Sequence, residues 1–170
     1  MVRGRKNPLH FGLAKRLRSL RREREIGGKP LSLAAHLAAT TVLRIESEET
    51  VPSIDVVEKL ASALKVSAGF LAYGVSLAAD APVATGSSEL SERLRTTRVL
   101  RGLSLNGLAK LSGVARTTIG YLEVGTTTPS VATVELLAQA LDVPAPWLAY
   151  GEGHAAAEDD RPRESARATT

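Results

Sequence analysis

The sequence predicts an all-α protein made of two tandem five-helix domains, and three observations carry that prediction. First, the chain of 170 residues repeats itself: a shift of 77 positions lays Leu13–Gly74 over Leu90–Gly151 without a gap, and positions 11–74 share 26 of 64 residues with positions 88–151. A period of this size marks one small folded unit, duplicated. Second, Ala, Leu and Val recur at the three- and four-residue spacing of amphipathic helices. Third, Ser and Gly punctuate those runs where helices start and stop. Each unit is near the lower size limit for folding alone, so docking of the two would help both.

Residues 1–10, with Arg3, Arg5 and Lys6, read as a flexible basic arm. Residues 11–74 form the first unit and 88–151 the second. The linker over 75–87 is rich in Ala, Pro, Gly and Ser, and residues 152–170, without apolar period, read as a disordered tail.

Helices are clearest in the second unit. Ser88 caps a first helix, which carries Leu90 and Leu94 and ends at Gly102. Ser104 caps a second, with Leu105, Leu108, Ala109 and Leu111, that stops at Gly113. A third runs from about Ala115 to Val124 and buries Ile119 and Leu122. Pro129 or Ser130 opens a fourth, whose Val131, Val134, Leu137, Ala138 and Leu141 form an apolar stripe. A short fifth helix follows Pro144 and holds Trp147 and Leu148.

The second and third helices carry the functional information. Ala109, Gly113, Val114, Ile119 and Leu122 have the spacing of two helices joined by a tight turn, with a small side chain at the crossing and a glycine where the chain needs positive φ. Such a pair leaves the outer face of the third helix free to enter a DNA major groove while the second lies across the backbone. The run Leu103-Ser104-Leu105-Asn106-Gly107-Leu108-Ala109-Lys110-Leu111-Ser112-Gly113-Val114-Ala115-Arg116-Thr117-Thr118-Ile119-Gly120-Tyr121-Leu122-Glu123, with Gly125 and Pro129 behind it, resembles the phage-repressor-like (Cro/cI-type, XRE) helix-turn-helix family. The two repeats place about three quarters of the chain within that resemblance.

The resemblance implies lambda-repressor-like domains and a transcriptional regulator, a repressor by analogy, that binds specific sequences of double-stranded DNA. It implies base contacts from Arg116, Thr117, Thr118, Gly120 and Tyr121. The arginine fork suits guanine O6 and N7, and a threonine methyl suits thymine. Phosphate contacts fall to Ser104, Asn106, Lys110, Thr126 and Thr127, helped by the positive end of the second helix. The family also pairs an arginine of helix one with the glutamate ending helix three; the matching residues are Arg98 with Glu123 and Arg21 with Glu46. Leu105 and Ala115 depart from the family's polar residue and Ser/Thr cap, which lowers the affinity expected of one domain.

The first unit is expected to fold alike but to have lost function. The gapless register puts Ser32 on Ala109 and His36 on Gly113, so the tight turn lacks its glycine; a register opening helix two at Ser32 is an alternative. Its third helix would show Ala39, Thr40, Leu43 and Arg44, followed by Glu48-Glu49 where the second unit has Gly125-Thr126. Carboxylates there would repel phosphate, leaving this helix weak or silent on DNA, and an exposed Leu43 suits a protein contact. The basic first helix, with Lys15, Arg16, Arg18, Arg21, Arg22 and Arg24, either holds phosphates or is a solvated surface balanced by Glu23 and Glu25.

A tandem copy can supply within one chain the twofold pair that such regulators form as dimers. Phe70 and Tyr73, matched by Trp147 and Tyr150, are candidate contacts for an intrachain pseudo-dimer or a homodimer; alternatively they close each domain's own core.

Composition bounds the alternatives. There is no cysteine, and His10, His36 and His154 are scattered, so no metal site or other cofactor is expected. No apolar run reaches membrane-spanning length and no signal peptide opens the chain, which reads as cytoplasmic. The net charge of +4 is uneven, +5 over residues 1–85 and −1 over 86–170, and a basic half favours a polyanionic partner. No Ser/His/Asp, metal or phosphate-loop arrangement supports an enzyme. The competing reading is a protein-interaction module, antitoxin-like or binding the transcription machinery, with DNA secondary.

Overall fold

The computed structural model describes residues 8–75 and 87–152; the expectations for residues 1–7, for most of the linker and for the tail from 153 onward fall outside the described residues. A 3-10 turn, Leu9–Gly12, leads into α1 (Leu13–Glu23), α2 (Gly28–Ala34), α3 (Thr41–Glu46), α4 (Ile54–Leu64) and α5 (Ala68–Tyr73). The second repeat follows as α6 (Ser87–Leu100), α7 (Leu105–Ser112), α8 (Arg116–Val124), α9 (Val131–Leu141) and α10 (Ala145–Tyr150). There is no strand among the described residues, and the molecule is all-α with five helices per repeat.

Local chemistry sets these boundaries. The hydroxyls of Ser67, Ser104 and Ser130 accept the amides of Phe70, Gly107 and Thr133, satisfying first-turn donors of α5, α7 and α9. Helices then end in left-handed residues. In the second repeat those after the first three helices are Gly102, Gly113 and Gly125, with φ of +64°, +74° and +78°. The first repeat takes the same backbone turns with Glu25, His36 and Glu48 at φ +55°, +55° and +61°. Side chains there cost about 1 kcal/mol each relative to glycine, so the first repeat keeps the fold at some expense.

The gapless register holds. Helix α2 opens at Gly28, the partner of Leu105, and not at Ser32. Ser32 is fully buried and knits the turn instead: its hydroxyl donates to the Gly28 carbonyl (2.9 Å) and accepts the Val42 amide (3.1 Å). Helix α6 opens at Ser87, one residue before the serine expected to cap it.

Leu17, Leu31, Val42, Ile54, Leu60 and Leu71 centre the first core, and Leu94, Leu108, Ile119, Val131, Leu137 and Leu148 the second, all at most 1% exposed. The two cores merge where α5 packs on α10. At the seam the Ile54 amide donates to the Pro129 carbonyl (3.1 Å) and the Val131 amide to the Pro52 carbonyl (3.0 Å). Ile54 and Val131, like Pro52 and Pro129, are 77 positions apart, so the seam is self-complementary, as an internal twofold requires.

Two ends expected to be free belong to this seam. Leu9 and His10, read as part of the arm, are held by Glu135 of α9: its carboxylate accepts the Leu9 amide (2.7 Å), the His10 amide (3.1 Å) and pairs with His10 Nδ1 (2.7 Å). Glu152, read as tail, is 4% exposed and accepts the Gly69 amide of α5 (2.9 Å). A buried carboxylate needs such donors; Glu135 finds them in the 3-10 turn and Glu152 in α5.

Candidate nucleic-acid interface

The geometry of α7 and α8 follows from their small residues and one ion pair. At Gly113 a Cβ would meet nothing within 4 Å; the position requires glycine for its positive φ and not for space. The Ser112 hydroxyl donates to the Leu108 carbonyl (2.7 Å) and accepts the Val114 amide (3.2 Å), closing the turn. Ile119 and Leu122 then seat the inner face of α8 in the core.

Arg98 of α6 fixes the far end of α8. Its Nε and Nη2 donate to the two carboxylate oxygens of Glu123 at 2.6 and 2.8 Å, and its Nη1 donates to the Leu103 carbonyl at 2.8 Å. The side-chain hydrogen bond to Glu123, outweighing desolvation, raises the arginine above its ordinary value. Arg21 repeats the arrangement in the first repeat, with Glu46 at 2.7 and 3.0 Å and the Ile26 carbonyl at 2.9 Å. One planar fork thereby ties helix one, the following loop and helix three into a rigid unit.

On the outer face of α8, Arg116, Thr117 and Tyr121 are exposed, and Thr118 and Gly120 are half-buried. No side chain caps the start of α8 at Ala115. Across the turn Ser104, Asn106 and Lys110 are exposed on α7, and Thr126 and Thr127 lie exposed beyond α8. Thr126 is already engaged: its amide (3.0 Å) and hydroxyl (3.2 Å) both donate to the Tyr121 carbonyl, capping α8. Ser104 likewise spends its oxygen on Gly107.

The first repeat presents a different surface. Helix α3 has six residues where α8 has nine, because Ala39 and Thr40, the partners of Arg116 and Thr117, precede it and Ser47, the partner of Val124, follows it. Leu33 and Leu43, 54% and 66% exposed, stand where the second repeat has Lys110 and Gly120. Glu48 and Glu49 are exposed in the loop beyond.

The basic first helix is less available than its composition implies. Arg16 turns inward to the Leu71 and Ala72 carbonyls of α5, and Arg21 is held by Glu46, leaving Lys15, Arg18, Arg22 and Arg24 exposed. Arg93 repeats the Arg16 contact with the Leu148 and Ala149 carbonyls of α10. Burial lowers both arginines below their ordinary value. Their identity in the two repeats was the available signal for this role.

Tyr73 and Tyr150 meet in the α5–α10 junction with ring centroids 6.4 Å apart, while Phe70 and Trp147 are half-buried at its margin. Glu135, Glu152 and Gly69 carry junction contacts that sequence reasoning did not single out. Among the described residues no cluster of His, Asp or Glu could hold a metal, and no helix is long and apolar enough to cross a membrane.

Comparison with known proteins agrees with this architecture. The helix-turn-helix family matches twice, over residues 17–71 and 94–148, together about two thirds of the chain. The chain is also similar to an uncharacterized HTH-type transcriptional regulator, RghRB of Bacillus subtilis (strain 168), 38% identical over 79 residues that make up 46% of this chain and 57% of that protein. The chain thus spans little more than half the length of that relative. No solved structure matches it significantly.

Proposed function

The chain belongs to the helix-turn-helix family of the phage-repressor type, and from that premise we propose that it is a sequence-specific regulator of transcription, a repressor acting by occupancy of double-stranded DNA in the cytoplasm. Helix α8 enters the major groove. Arg116, Thr117, Thr118, Gly120 and Tyr121 face base edges, with the Arg116 fork reading guanine. Ser104, Asn106, Lys110 and Thr127 face phosphates, joined by the open amides at the start of α8; Thr126 shapes the loop through its cap on Tyr121.

The observation that carries this reading is the division of α8: Ile119 and Leu122 are sealed in the core while Arg116, Thr117 and Tyr121 stand in solvent on a helix anchored by Arg98. The self-complementary seam supports a second element, that the pair of domains is an intrachain pseudo-dimer. Selection from a pool of random duplexes tests the proposal. A shared site of defined sequence is expected; recovery of unrelated sequences, with retention that only follows salt, would contradict it.

A second reading applies to the first repeat. Leu33 and Leu43 put apolar surface where a DNA-binding face carries Lys110 and a bare glycine, so α3 is suited to a protein partner, and the acidic Glu48-Glu49 loop disfavours phosphate.

A further inference from the structure

The repeat provides an internal control for every surface, and the residues lining one cavity differ from their copies. A pocket of about 410 Å³ opens beside the 3-10 turn, between α1, the loop after α3 and the start of α9. Its walls are Phe11, Ala14, Val51, Pro52 and Val131, with Glu48 as the charged group at its edge. The corresponding positions in the second repeat are Ser88, Ser91, Thr128, Pro129 and Gly125, and the counterpart of Val131 is Ile54 of the first repeat. Three polar positions have become apolar in the first repeat, and a glycine has become a glutamate.

In the second repeat the equivalent loop glycine sits close to α6: a Cβ on Gly125 would lie 3.3 Å from the Ser91 hydroxyl. In the first repeat the smaller Ala14 stands in place of that serine and Glu48 takes the left-handed position at φ +61°, a conformation costly for glutamate. Phe11 and Val51 remain 63% and 50% exposed at the mouth, with the Phe11 ring edge-on to His10 at 4.7 Å. An aromatic ring and a valine left wet around a concave, mostly apolar wall are the composition of a small-molecule site, and the volume lies within the usual range of about 300–1,000 Å³.

Charge defines the ligand class. His10 is occupied by Glu135, and Glu48 makes no ion pair among the described residues. We propose that the pocket bounded by Phe11, Val51 and Glu48 is a binding site for a small apolar amine, the hydrocarbon part against Phe11, Val51 and Val131 and the ammonium toward Glu48. Pro52 and Val131 share a seam hydrogen bond, so an occupant touches both repeats and the loop that follows α3. The site is therefore placed to regulate how the repeats sit on a partner.

Titration of the full chain with 2-phenylethylamine, followed by two-dimensional NMR, tests the site without DNA and so independently of the proposed function. Expected are saturable shifts confined to residues around Phe11, Ala14 and Val51, with the amine bound several-fold more tightly than 2-phenylethanol and 3-phenylpropionate weakest. Phe11→Ala should weaken the amine at least fivefold, and Glu48→Gln should abolish its advantage over the alcohol. Both side chains are solvent-exposed, and an unchanged spectrum elsewhere verifies the fold. Absence of saturable binding, shifts centred on another surface, preference for the carboxylate, or affinity indifferent to both substitutions would overturn the proposal.

Discussion

Tyr73 and Tyr150 occupy equivalent positions in the two repeats and face each other across the seam, yet among the described residues only one of their hydroxyls finds a hydrogen-bond partner. Tyr73 donates to the Val131 carbonyl at 3.1 Å, whereas the Tyr150 hydroxyl is buried without a partner among the described residues. The internal twofold is therefore broken at its centre. Tyr73→Phe should cost about 1 kcal/mol, the net value of a buried hydrogen bond, while Tyr150→Phe should cost nothing or stabilise by up to about 1 kcal/mol. Urea unfolding of the two variants checks the difference; equal losses would mean that both hydroxyls are bonded.

The left-handed positions give a second contrast. His36 occupies at φ +55° the turn that Gly113 occupies at +74°. Relief of that strain, less the extra freedom glycine gains in the unfolded chain, predicts a gain of roughly 0.5 kcal/mol for His36→Gly and a loss of about 1–2 kcal/mol for Gly113→Ala. Thermal or urea denaturation reads both, and a loss for His36→Gly would show that the imidazole has a stabilising contact.

Acid should act on the molecule in two stages. Burial pushes the Glu58 and Glu152 carboxyls above the ordinary carboxylate value, Glu58 further through Asp55, while the Gly69 amide partly offsets the shift at Glu152. These groups take up protons in the folded chain before the unfolded one, so stability rises as pH falls from neutrality through their folded-state values. Glu46 is shifted the other way by its hydrogen bonds from Arg21, against desolvation. Its contribution is complete above the ordinary value and is lost as pH falls through the lowered one. Urea midpoints should pass through a maximum on the acid side of neutrality, and Glu58→Gln with Glu152→Gln should flatten the rise toward it. A monotonic decline from pH 7 downward would contradict this.

Much of this architecture is legible in the chain because duplication supplies a second reading of every element. Ser104, Gly113 and Pro129-Ser130 mark boundaries by local rules, and the 77-residue shift carries those boundaries onto a first repeat whose own signals, such as Gly27-Gly28-Lys29-Pro30, are poor. The candidate face of α8 is equally readable, since Ile119 and Leu122 set the buried side and the rest of the helix follows from its period. The seam was not. Glu58 and Glu135 are the same residue in the repeat, but only Glu135 captures the 3-10 turn, and nothing near Glu152 in sequence announces that its carboxylate reaches Gly69, 83 positions away. Such one-off contacts depend on how two finished domains dock, which has no local period.

If carboxylates disable the first repeat, removing them should restore binding. Glu48→Gly with Glu49→Thr recreates the Gly125-Thr126 loop and should increase affinity for duplex DNA, by up to about 1 kcal/mol per charge at low salt and less at high salt. Fluorescence anisotropy at two salt concentrations checks it. Unchanged affinity would remove electrostatic exclusion as the reason for an inactive α3.

The reading of α8 as the helix that enters the groove is tested most directly by measuring, base by base across a selected site, the affinity of the native chain and of Arg116→Ala. The account predicts a loss of about 1–3 kcal/mol and relaxed discrimination at one guanine, with Lys110→Ala weakening all sequences alike. An Arg116→Ala protein that keeps full affinity, or loses it equally on every sequence, would contradict the account.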